Sequence, residues 1–459
     1  MNPLDKMTNL ESDSAWDAYD RVRDQYDQAP YPDFPIAYSP RQAINTLFPY
    51  DLTTAYYLRD RIVISPKGKL ILDVGCGSGV TTHYLAEANP HAKIVGIDIS
   101  PVSIRIAEKR LQHHGFQNVE FYAIPIENVP DLGKKFDYIN CDETLYLLPD
   151  PQAGLKVMQS VLAEHGVIRA NLHSVFQRAN HYRSQELFKF LGLTEECSQE
   201  TSVATIREIL ESLDDSTVIK RVTWLESVKT DEAILMNFLL EGDRGFTVPE
   251  MFELIRNANL EFLGMVNERF WHIPNLFQDS QKIPEYLDLA LSIATDEQRL
   301  HLYELMHPVN RLLDFWCGHV GVPKTYLPPV EWEDSMWHHA KAHLHPQLKT
   351  DRLRADLEQA IAYETPFNIS AHIKVTTPDA ITLFTPSAIC LKLLWDRPQT
   401  MPELIQTWLK IKPLNLLTMQ PVTTTEAFEQ LKQILTDLES LMFVMLETCR
   451  DEAFGHQSP

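Results

Sequence analysis

The sequence lacks the features of a membrane-spanning, disulfide-bonded or basic protein. No apolar run approaches the roughly 20 residues that a membrane span requires, and the amino terminus has no apolar core of a secretory signal. The six cysteines form no Cys-x-x-Cys pair, which is typical of reduced thiols. Lys and Arg number 41 against 63 Asp and Glu, a formal net charge of -22 that disfavours sequence-independent nucleic-acid binding. We expect a cytoplasmic protein with no membrane partner.

The chain is long and apolar enough for several domains. It has 459 residues, 44% of them hydrophobic, whereas single cores stop growing at roughly 250–300 residues. Changes in hydrophobic periodicity predict an N-terminal extension, an α/β domain with a helical insertion, a helical connector and an α+β C-terminal module. We assign these to residues 1–45, 46–280 (insertion about 174–245), 281–350 and 351–459.

Short apolar runs alternate with amphipathic stretches after residue 46. KLILDV, KIVGIDI, VEFYAI, FDYINC and GVIRANL are typical of buried strands, and TTHYLAEAN and PVSIRIAEKRLQHH of intervening helices. This order predicts an α/β fold in which helices cover both faces of a mainly parallel sheet. We expect Ser100 to cap the second helix, Thr247 and Glu250 to form a capping box, and LEFLGMV to add a strand.

The second half of the chain has a weaker pattern. Residues 281–350 contain helical, aromatic sequence such as EQRLHLYELMHPVNRLLDFW. The tail starts with two strand-like runs, NISAHIKV and AITLF, around the turn TTPD, and two or three helices follow, the last in EAFEQLKQILTDLESLMFVML. This order resembles a small winged-helix module within a mainly α C-terminal region.

The most informative stretch is Asp73-Val74-Gly75-Cys76-Gly77-Ser78-Gly79, between a predicted strand and a predicted helix. Glycines at alternate positions let the backbone turn tightly and approach a bulky ligand. Asp98 ends the next strand, nineteen residues after Gly79, where an acid is placed to accept two ribose hydroxyls. A dinucleotide site is the first alternative, but its loop is GxGxxG, whereas this one is GxGxG.

The GxGxG loop, with its preceding Asp and the later Asp98, resembles that of the class I S-adenosylmethionine-dependent methyltransferases. The resemblance covers about 45–172 and 246–270. It implies a Rossmann-like sheet, S-adenosyl-L-methionine as cofactor, and ribose contacts from the acid after the second strand. The cofactor-binding positions that it implies are Asp73, Gly75, Cys76, Gly77, Gly79, Asp98, Ile99, Ile126, Glu127 and Cys141. Pro125 stands where many members have an Asp, which removes one expected contact to the adenine amine.

Methyl transfer needs an aligned acceptor, and a base only where the acceptor arrives protonated. The candidates at the ends of the fourth and fifth strands are Asp142, Tyr146 and His173, with Glu143 beside them. Each has a structural alternative: Glu143 and Tyr146 can belong to the next helix, and His173 can cap or pack. An NPPY-type loop is absent, and NCDE stands in its place, which disfavours DNA bases and glutamine as acceptors.

Tyr26 and Tyr31 lie in a proline-rich stretch that can fold over the cofactor as a lid or pack on the sheet. His339 and His343 are one turn apart, but no third ligand at a characteristic spacing accompanies them, so we expect no metal. Arg311 and Asp314, three apart on an expected helix, are interpreted as an ion pair.

Three functions remain open. The first is methyl transfer to an N or O acceptor on a protein or peptide side chain, because about half of the chain lies outside the catalytic core. The C-terminal region loosely resembles the regulatory region of bacterial protein-lysine methyltransferases, which agrees with this reading. The second is a small-molecule methyltransferase whose insertion roofs a closed pocket. The third is a cofactor-binding scaffold or sensor without transfer. The sequence does not indicate the oligomeric state.

Overall fold

A computed structural model describes residues 21–40, 46–194, 197–280, 282–322, 326–373 and 380–448. Among them, no helix is long and apolar enough to cross a membrane. The elements form one large mixed sheet with helices on both faces, a helical insertion and a C-terminal module with its own small sheets.

The main sheet has the strand order β3-β2-β1-β4-β5-β8-β7, and a short strand β6 pairs beside β5. Strands β1 to β5 are parallel, whereas β8 runs antiparallel to both β5 and β7. The bounds are Leu70–Val74 (β1), Lys93–Asp98 (β2), Val119–Ala123 (β3), Phe136–Cys141 (β4), Leu162–Ser174 (β5), Gly245–Phe246 (β6), Leu260–Met265 (β7) and Leu312–His319 (β8). This is the expected α/β, Rossmann-like fold with helices on both faces of the sheet.

Alternate residues of the central strands point into two cores, because successive side chains of a strand face opposite sides. Leu72 and Ile139 lie in one core, under helices such as α5 and α10, and Ile71 and Tyr138 lie in the other, which extends into the C-terminal module. The helices around the sheet are residues 21–28 (α1), Leu52–Asp60 (α2), Val80–Ala88 (α3), Pro101–His113 (α4), Pro151–Val161 (α5), Val248–Asn257 (α10), Glu285–Ile293 (α11) and Asp296–Met306 (α12).

The capping residues of α4 and α10 make the hydrogen bonds that the sequence predicts. The Ser100 side chain accepts a hydrogen bond from the Ser103 N–H at the start of α4. Thr247 and Glu250 form a complete capping box at the start of α10, and α10 ends at Asn257. These contacts satisfy N–H groups that have no partner inside the helix.

The described residues between β5 and β6, in the segment expected to be inserted, form four α-helices. They are Ala179–Phe190 (α6), Gln199–Ser212 (α7), Val218–Thr223 (α8) and Asp231–Phe238 (α9). Phe188, Ile206 and Phe238 are fully buried in a third core of their own, so the insertion is packed internally and does not depend only on the sheet.

The C-terminal module combines helices with a three-stranded sheet of order β12-β9-β13 and a two-stranded pair β10-β11. Its strands are Lys341–Leu344 (β9), Phe367–Asn368 (β10), Thr382–Leu383 (β11), Gln399–Thr400 (β12) and Val444–Glu447 (β13). Its helices are Asp334–His338 (α13), Asp351–Ala362 (α14), Thr385–Asp396 (α15), Met401–Ile411 (α16) and Thr424–Ser440 (α17).

Three expectations about this half need correction. The predicted helical connector at 281–350 contains β8, a central strand of the main sheet, so the α/β domain does not close near residue 280. Phe315, Trp316 and Cys317 are buried one after the other, and a short apolar run of this kind does not distinguish a strand from a helix. VML, at the end of the last predicted helix, likewise belongs to the strand β13 and not to a helix. Among the described residues of the run NISAHIKV, only Asn368 lies in a strand, β10, and Ile369–Ala371 form a 3-10 turn. TTPD lies outside the described residues. The winged-helix interpretation stays a prediction.

The C-terminal module is fastened to α2 by buried polar contacts. The Tyr57 hydroxyl donates to the Glu439 carboxylate at 2.9 Å and accepts from the Leu446 N–H at 2.8 Å. Gln347 donates to Asp51, the N-cap of α2. Because Tyr50 directly precedes this cap, the module helps to fix the position of Tyr50, which faces the cavity described next.

Candidate functional site

A cavity of about 240 Å³ lies at the carboxyl ends of β1, β2 and β4, where open α/β sheets bind their ligands. Its wall holds three carboxylates, those of Asp98, Asp142 and Glu143. No Lys, Arg or His of the described residues lines it. The cavity therefore suits a ligand with positive charge and an apolar portion.

The glycine loop forms the floor of the cavity. A Cβ on Gly75 would lie 2.2 Å from the Thr144 hydroxyl oxygen, and one on Gly77 would lie 2.3 Å from the Tyr31 carbonyl oxygen. Both glycines also have positive φ, of 70° and 50°, a region that other residues rarely adopt. The loop thus needs glycine for its turn and for the close approach of two neighbouring segments. Gly79 lies outside the lining and packs against Ala107 of α4.

Asp98 and Asp73, the two acids that the sequence singles out, lie at different positions relative to the cavity. Asp98 lines the cavity, and its carboxylate accepts hydrogen bonds from the N–H groups of Gly77 and Ser100 at 2.9 and 2.8 Å. Asp73 is buried below the loop, where it accepts from Thr81, Thr82 and Asn140. Burial raises the pKa of Asp73 to about 6 despite these contacts. Asp73 therefore holds the loop and the start of α3 in place without facing the cavity.

A strap, residues 31–36, covers the cavity from the other side. The Ser78 N–H donates to the Tyr31 carbonyl at 3.0 Å, and the Ser78 hydroxyl donates to the Pro32 carbonyl at 2.6 Å. Arg110 donates to the strap carbonyls of Phe34 and Pro35. Tyr31 on the strap and Tyr26 on α1 both line the cavity, so the N-terminal segment supplies an aromatic cover.

Asp142 is held by a buried polar network. Its carboxylate accepts from the Tyr50 hydroxyl at 2.6 Å, from Asn171 at 2.5 Å and from Arg169 at 3.3 Å. Arg169 also pairs with Asp314 at 2.7 Å. These bonds fix the orientation of the Asp142 side chain, which is one of the cavity carboxylates.

Glu143 belongs to a second network. It has φ of 52°, an uncommon backbone conformation for a non-glycine residue. Its carboxylate accepts from the Tyr146 hydroxyl at 2.7 Å and pairs with both terminal nitrogens of Arg311. Burial raises the pKa of Glu143, but the ion pair with Arg311 outweighs it, and the net pKa lies well below its usual range. Glu143 thus stays ionised.

His173 lies behind this carboxylate. Its Nδ1 is 2.7 Å from Asp243, its Nε2 is 2.8 Å from Arg311, and its ring stacks on Tyr146 with centroids 3.8 Å apart. His173 and Tyr146 are both outside the cavity lining. His173 and Tyr146 therefore lie behind Glu143 and do not face the cavity.

The cavity brings together about half of the residues predicted from the sequence. Those that line it are Gly75, Cys76, Gly77, Asp98, Ile99, Ile126 and Asp142. Those outside the lining are Asp73, Gly79, Glu127, Cys141, Tyr146 and His173. Glu127 is exposed on the 3-10 helix after β3, and Cys141 is fully buried. Burial also raises the pKa of the Cys76 thiol, which disfavours a nucleophilic thiolate there.

Sequence reasoning missed the partners that come from distant segments. Tyr50 and Asp243 carry no local motif. Arg311 and Asp314 were expected to pair with each other, but Arg311 binds Glu143 and Asp314 binds Arg169. That prediction is wrong because Asp314 lies in the strand β8 and Arg311 directly precedes it. Residues three apart in an extended chain do not share a face.

No group of three His, Cys, Asp or Glu side chains able to hold a metal occurs in the part of the chain that the structure describes. His343 contacts Glu447, and the buried His345 contacts Thr54. The histidines near residue 340 therefore have separate partners.

A larger cleft of about 740 Å³ lies on the outer side of the strap, between α4, α7 and α9. We call it the outer cleft. Acidic side chains on its wall are Asp33, Glu200, Asp231 and Glu232. Of its two arginines, Arg110 is bonded to the strap and Arg207 to Asp231. The outer cleft shares Tyr31, Pro32 and Phe34 with the cavity, so the strap separates two spaces.

Sequence comparisons match this chain to a family model and to several other proteins. Residues 65–225 match the family model described as a methyltransferase domain. An uncharacterized protein of Synechococcus is 28% identical over 315 residues, 68% of this chain and 73% of that protein. An uncharacterized protein of Rickettsia prowazekii is 26% identical over 286 residues, 60% of this chain and 49% of that protein. The ubiquinone biosynthesis O-methyltransferase of Acinetobacter baumannii is 29% identical over 126 residues, 27% of this chain and 50% of that protein. The chain thus matches about half the length of the last two relatives.

Among solved structures, PKMT2 from Rickettsia typhi superposes with a TM-score of 0.57 at 18% identity, over 91% of this chain and 77% of that chain. A structure of the same protein in complex with AdoHcy gives a TM-score of 0.56 at the same identity and coverage. At this level of identity, the likeness concerns the fold.

Proposed function

The chain contains a class I S-adenosylmethionine-dependent methyltransferase domain, and we propose that it methylates an amine on a protein or peptide side chain. The observation that carries this proposal is the set of three carboxylates, those of Asp98, Asp142 and Glu143, that face the cavity. The arginines that pair with the last two, Arg169 and Arg311, lie outside its lining. An ammonium acceptor and a sulfonium cofactor are both cations, and both are stabilised beside carboxylates.

S-adenosylmethionine supplies a methyl group on a cationic sulfur, already activated for in-line displacement. Its ribose hydroxyls would be held by Asp98, its adenine between Ile99 and Ile126, and its amino-acid portion along Gly75 and Gly77. The chemical character of the lining fits each part. The volume of about 240 Å³ is below the roughly 300 Å³ at which ligand pockets commonly begin. We therefore expect the strap to shift outward when the cofactor enters.

Glu143 and Asp142 are the groups that receive the acceptor. Because the pKa of Glu143 is held below its usual range, its carboxylate orients an ammonium and does not store a proton at neutral pH. The aromatic rings of Tyr26, Tyr31 and Tyr50 complete the wall, and aromatic faces attract cationic groups. Loss of the ammonium proton to solvent leaves the amine lone pair free to attack the methyl carbon.

The outer cleft supports a macromolecular acceptor. Its acidic wall matches a basic peptide segment, and a segment bound there would lie against the strap, which is also a wall of the cavity. PKMT2, which shares the fold, is solved with AdoHcy, the product of methyl transfer from this cofactor. The second candidate, a small-molecule acceptor, is favoured by the insertion helices α7 and α9, which wall the same cleft. The third reading, cofactor binding without transfer, predicts no labelled product.

The test uses S-adenosylmethionine with a labelled methyl group and a lysate of the source organism, separated after reaction into protein and metabolites. We expect label in protein with the unaltered chain. Asp98→Ala should abolish it through lost cofactor binding, and Glu143→Gln should lower it with cofactor binding kept. Asp131→Ala, which removes an exposed carboxylate outside the cavity, is the matched control. Label confined to metabolites would contradict the proposed acceptor, and cofactor binding without any label would favour the scaffold.

A further inference from the structure

A fully buried carboxylate, that of Asp243, lies at the end of the insertion and outside the cavity lining. It contacts the His173 Nδ1 at 2.7 Å, and it accepts from Arg178 and Gln185, each at 2.9 Å. A buried carboxylate is stable only when its oxygens are paired in this way. Asp243 therefore joins α6 of the insertion to the end of β5.

The contacts of His173 determine which nitrogen carries the proton. Its Nε2 lies 2.8 Å from a terminal nitrogen of Arg311. A guanidinium can only donate, so the Nε2 must accept. The imidazole is then neutral with its proton on Nδ1, which donates to Asp243. The carboxylate thus selects the tautomer that Arg311 requires.

Arg311 connects the tautomer of His173 to the Glu143 carboxylate at the cavity. The nitrogen that donates to His173 also lies 3.1 Å from the Glu143 Oε2, and the other terminal nitrogen bonds to the Glu143 Oε1. Two parallel bonds of this kind fix the plane of a carboxylate as well as its position. Glu143 needs such support because its backbone is in the left-handed region, with φ of 52°.

We propose that Asp243 is a positioning residue of the insertion that fixes the Glu143 carboxylate at the cavity through the tautomer of His173 and the guanidinium of Arg311. This inference rests on the proposed function, in which Glu143 receives the acceptor. It also gives the insertion a part in the reaction, because a displacement of α6 relative to the sheet changes the contact with Asp243.

The chain of contacts differs from a proton relay in which His173 takes the acceptor proton. The His173 Nε2 is 3.6 Å from the Glu143 carboxylate, but Arg311 already occupies this nitrogen. The two mechanisms give opposite results for His173→Gln. A glutamine can donate its N–H to Asp243 and accept from Arg311 with its oxygen, yet it cannot carry a proton.

The test compares Asp243→Asn with His173→Gln. In Asp243→Asn the amide oxygen stays with Arg178 and Gln185, which donate to it, so the amide nitrogen faces the His173 Nδ1 and donates to it. The proton of His173 then moves to Nε2 and opposes the N–H of Arg311. We expect this exchange in histidine 15N NMR spectra, assigned by the signal lost in His173→Gln. Labelling of lysate protein should fall about 10- to 100-fold, as is typical when a reacting or supporting group is misplaced. His173→Gln should keep most of this labelling, because a glutamine can make both contacts of the neutral imidazole.

Asp215→Asn, an exposed acid of the insertion, serves as the matched control and should equal the unaltered chain. Cofactor affinity, measured by calorimetry, should stay within about twofold in all variants, which also shows that they are folded. An unchanged tautomer in Asp243→Asn, or an equal loss of rate in His173→Gln, would overturn the proposal. Absence of label with the unaltered chain would refute the proposed function instead, and the NMR result would still decide the role of Asp243.

Discussion

Replacement of Gly77 by alanine tests the contact between the glycine loop and the strap. The new Cβ would lie 2.3 Å from the Tyr31 carbonyl oxygen, which is backbone and has little freedom to yield. The φ of 50° adds a penalty of roughly 1–2 kcal/mol for a non-glycine residue, and overpacking adds about 1–3 kcal/mol. The cheapest relief is to move the strap, which breaks the bond between Ser78 and Tyr31.

The effect should appear in cofactor affinity. If displacement of the strap costs the complex about 1–3 kcal/mol, the dissociation constant for S-adenosylmethionine rises about 5- to 150-fold. Isothermal titration calorimetry measures it directly. Gly133→Ala is the matched control, because Gly133 has φ of 60° and nothing within 4 Å of a new Cβ. It should reduce stability and leave affinity unchanged. Equal affinities in the two variants would refute the close contact between loop and strap.

Three further outcomes follow from the contacts. Asp98→Asn should raise the cofactor dissociation constant about 10- to 100-fold in calorimetry, because it weakens charge-assisted hydrogen bonds; an unchanged value would contradict the ribose role. Glu439→Gln should lower the free energy of unfolding in urea by about 1–3 kcal/mol, because it leaves Arg61 without its ionic partner, and an equal midpoint and slope would argue against that pair. Burial raises the pKa of Asp243, but bonds to His173 and neighbouring donors lower it, from 3.8 to about 2 overall. This stabilisation is present above about pH 4 and is lost as the pH falls toward 2, so Asp243→Asn should show a smaller decrease of Tm over that range than the unaltered chain.

The parts of the site that follow a single strand–loop–helix unit could be predicted from the sequence. The loop Gly75 to Gly79 and the acid Asp98 stand at fixed distances from apolar strands, and the chemistry of turns and caps determines their arrangement. The same local signals place Asp142 at the end of β4. They do not show which neighbours face the cavity, and Gly79 and Glu127 lie outside its lining.

The remaining partners meet only through the tertiary fold. His173 and Asp243 are 70 residues apart, and Glu143 and Arg311 are 168 apart. No spacing rule links such pairs, since their contact depends on the packing of the insertion and on β8. The sequence of β8 favours a helix because both faces of the strand are buried, which removes the alternation that identifies a strand.

The measurement closest to the central claim is chemical identification of the labelled group. Protein labelled from S-adenosylmethionine is hydrolysed in acid, and the amino acids are separated. The account predicts that the label survives hydrolysis as an N-methylated amino acid, which agrees with an amine acceptor beside Glu143. Label released as methanol by mild base would identify a carboxyl ester and contradict the amine acceptor.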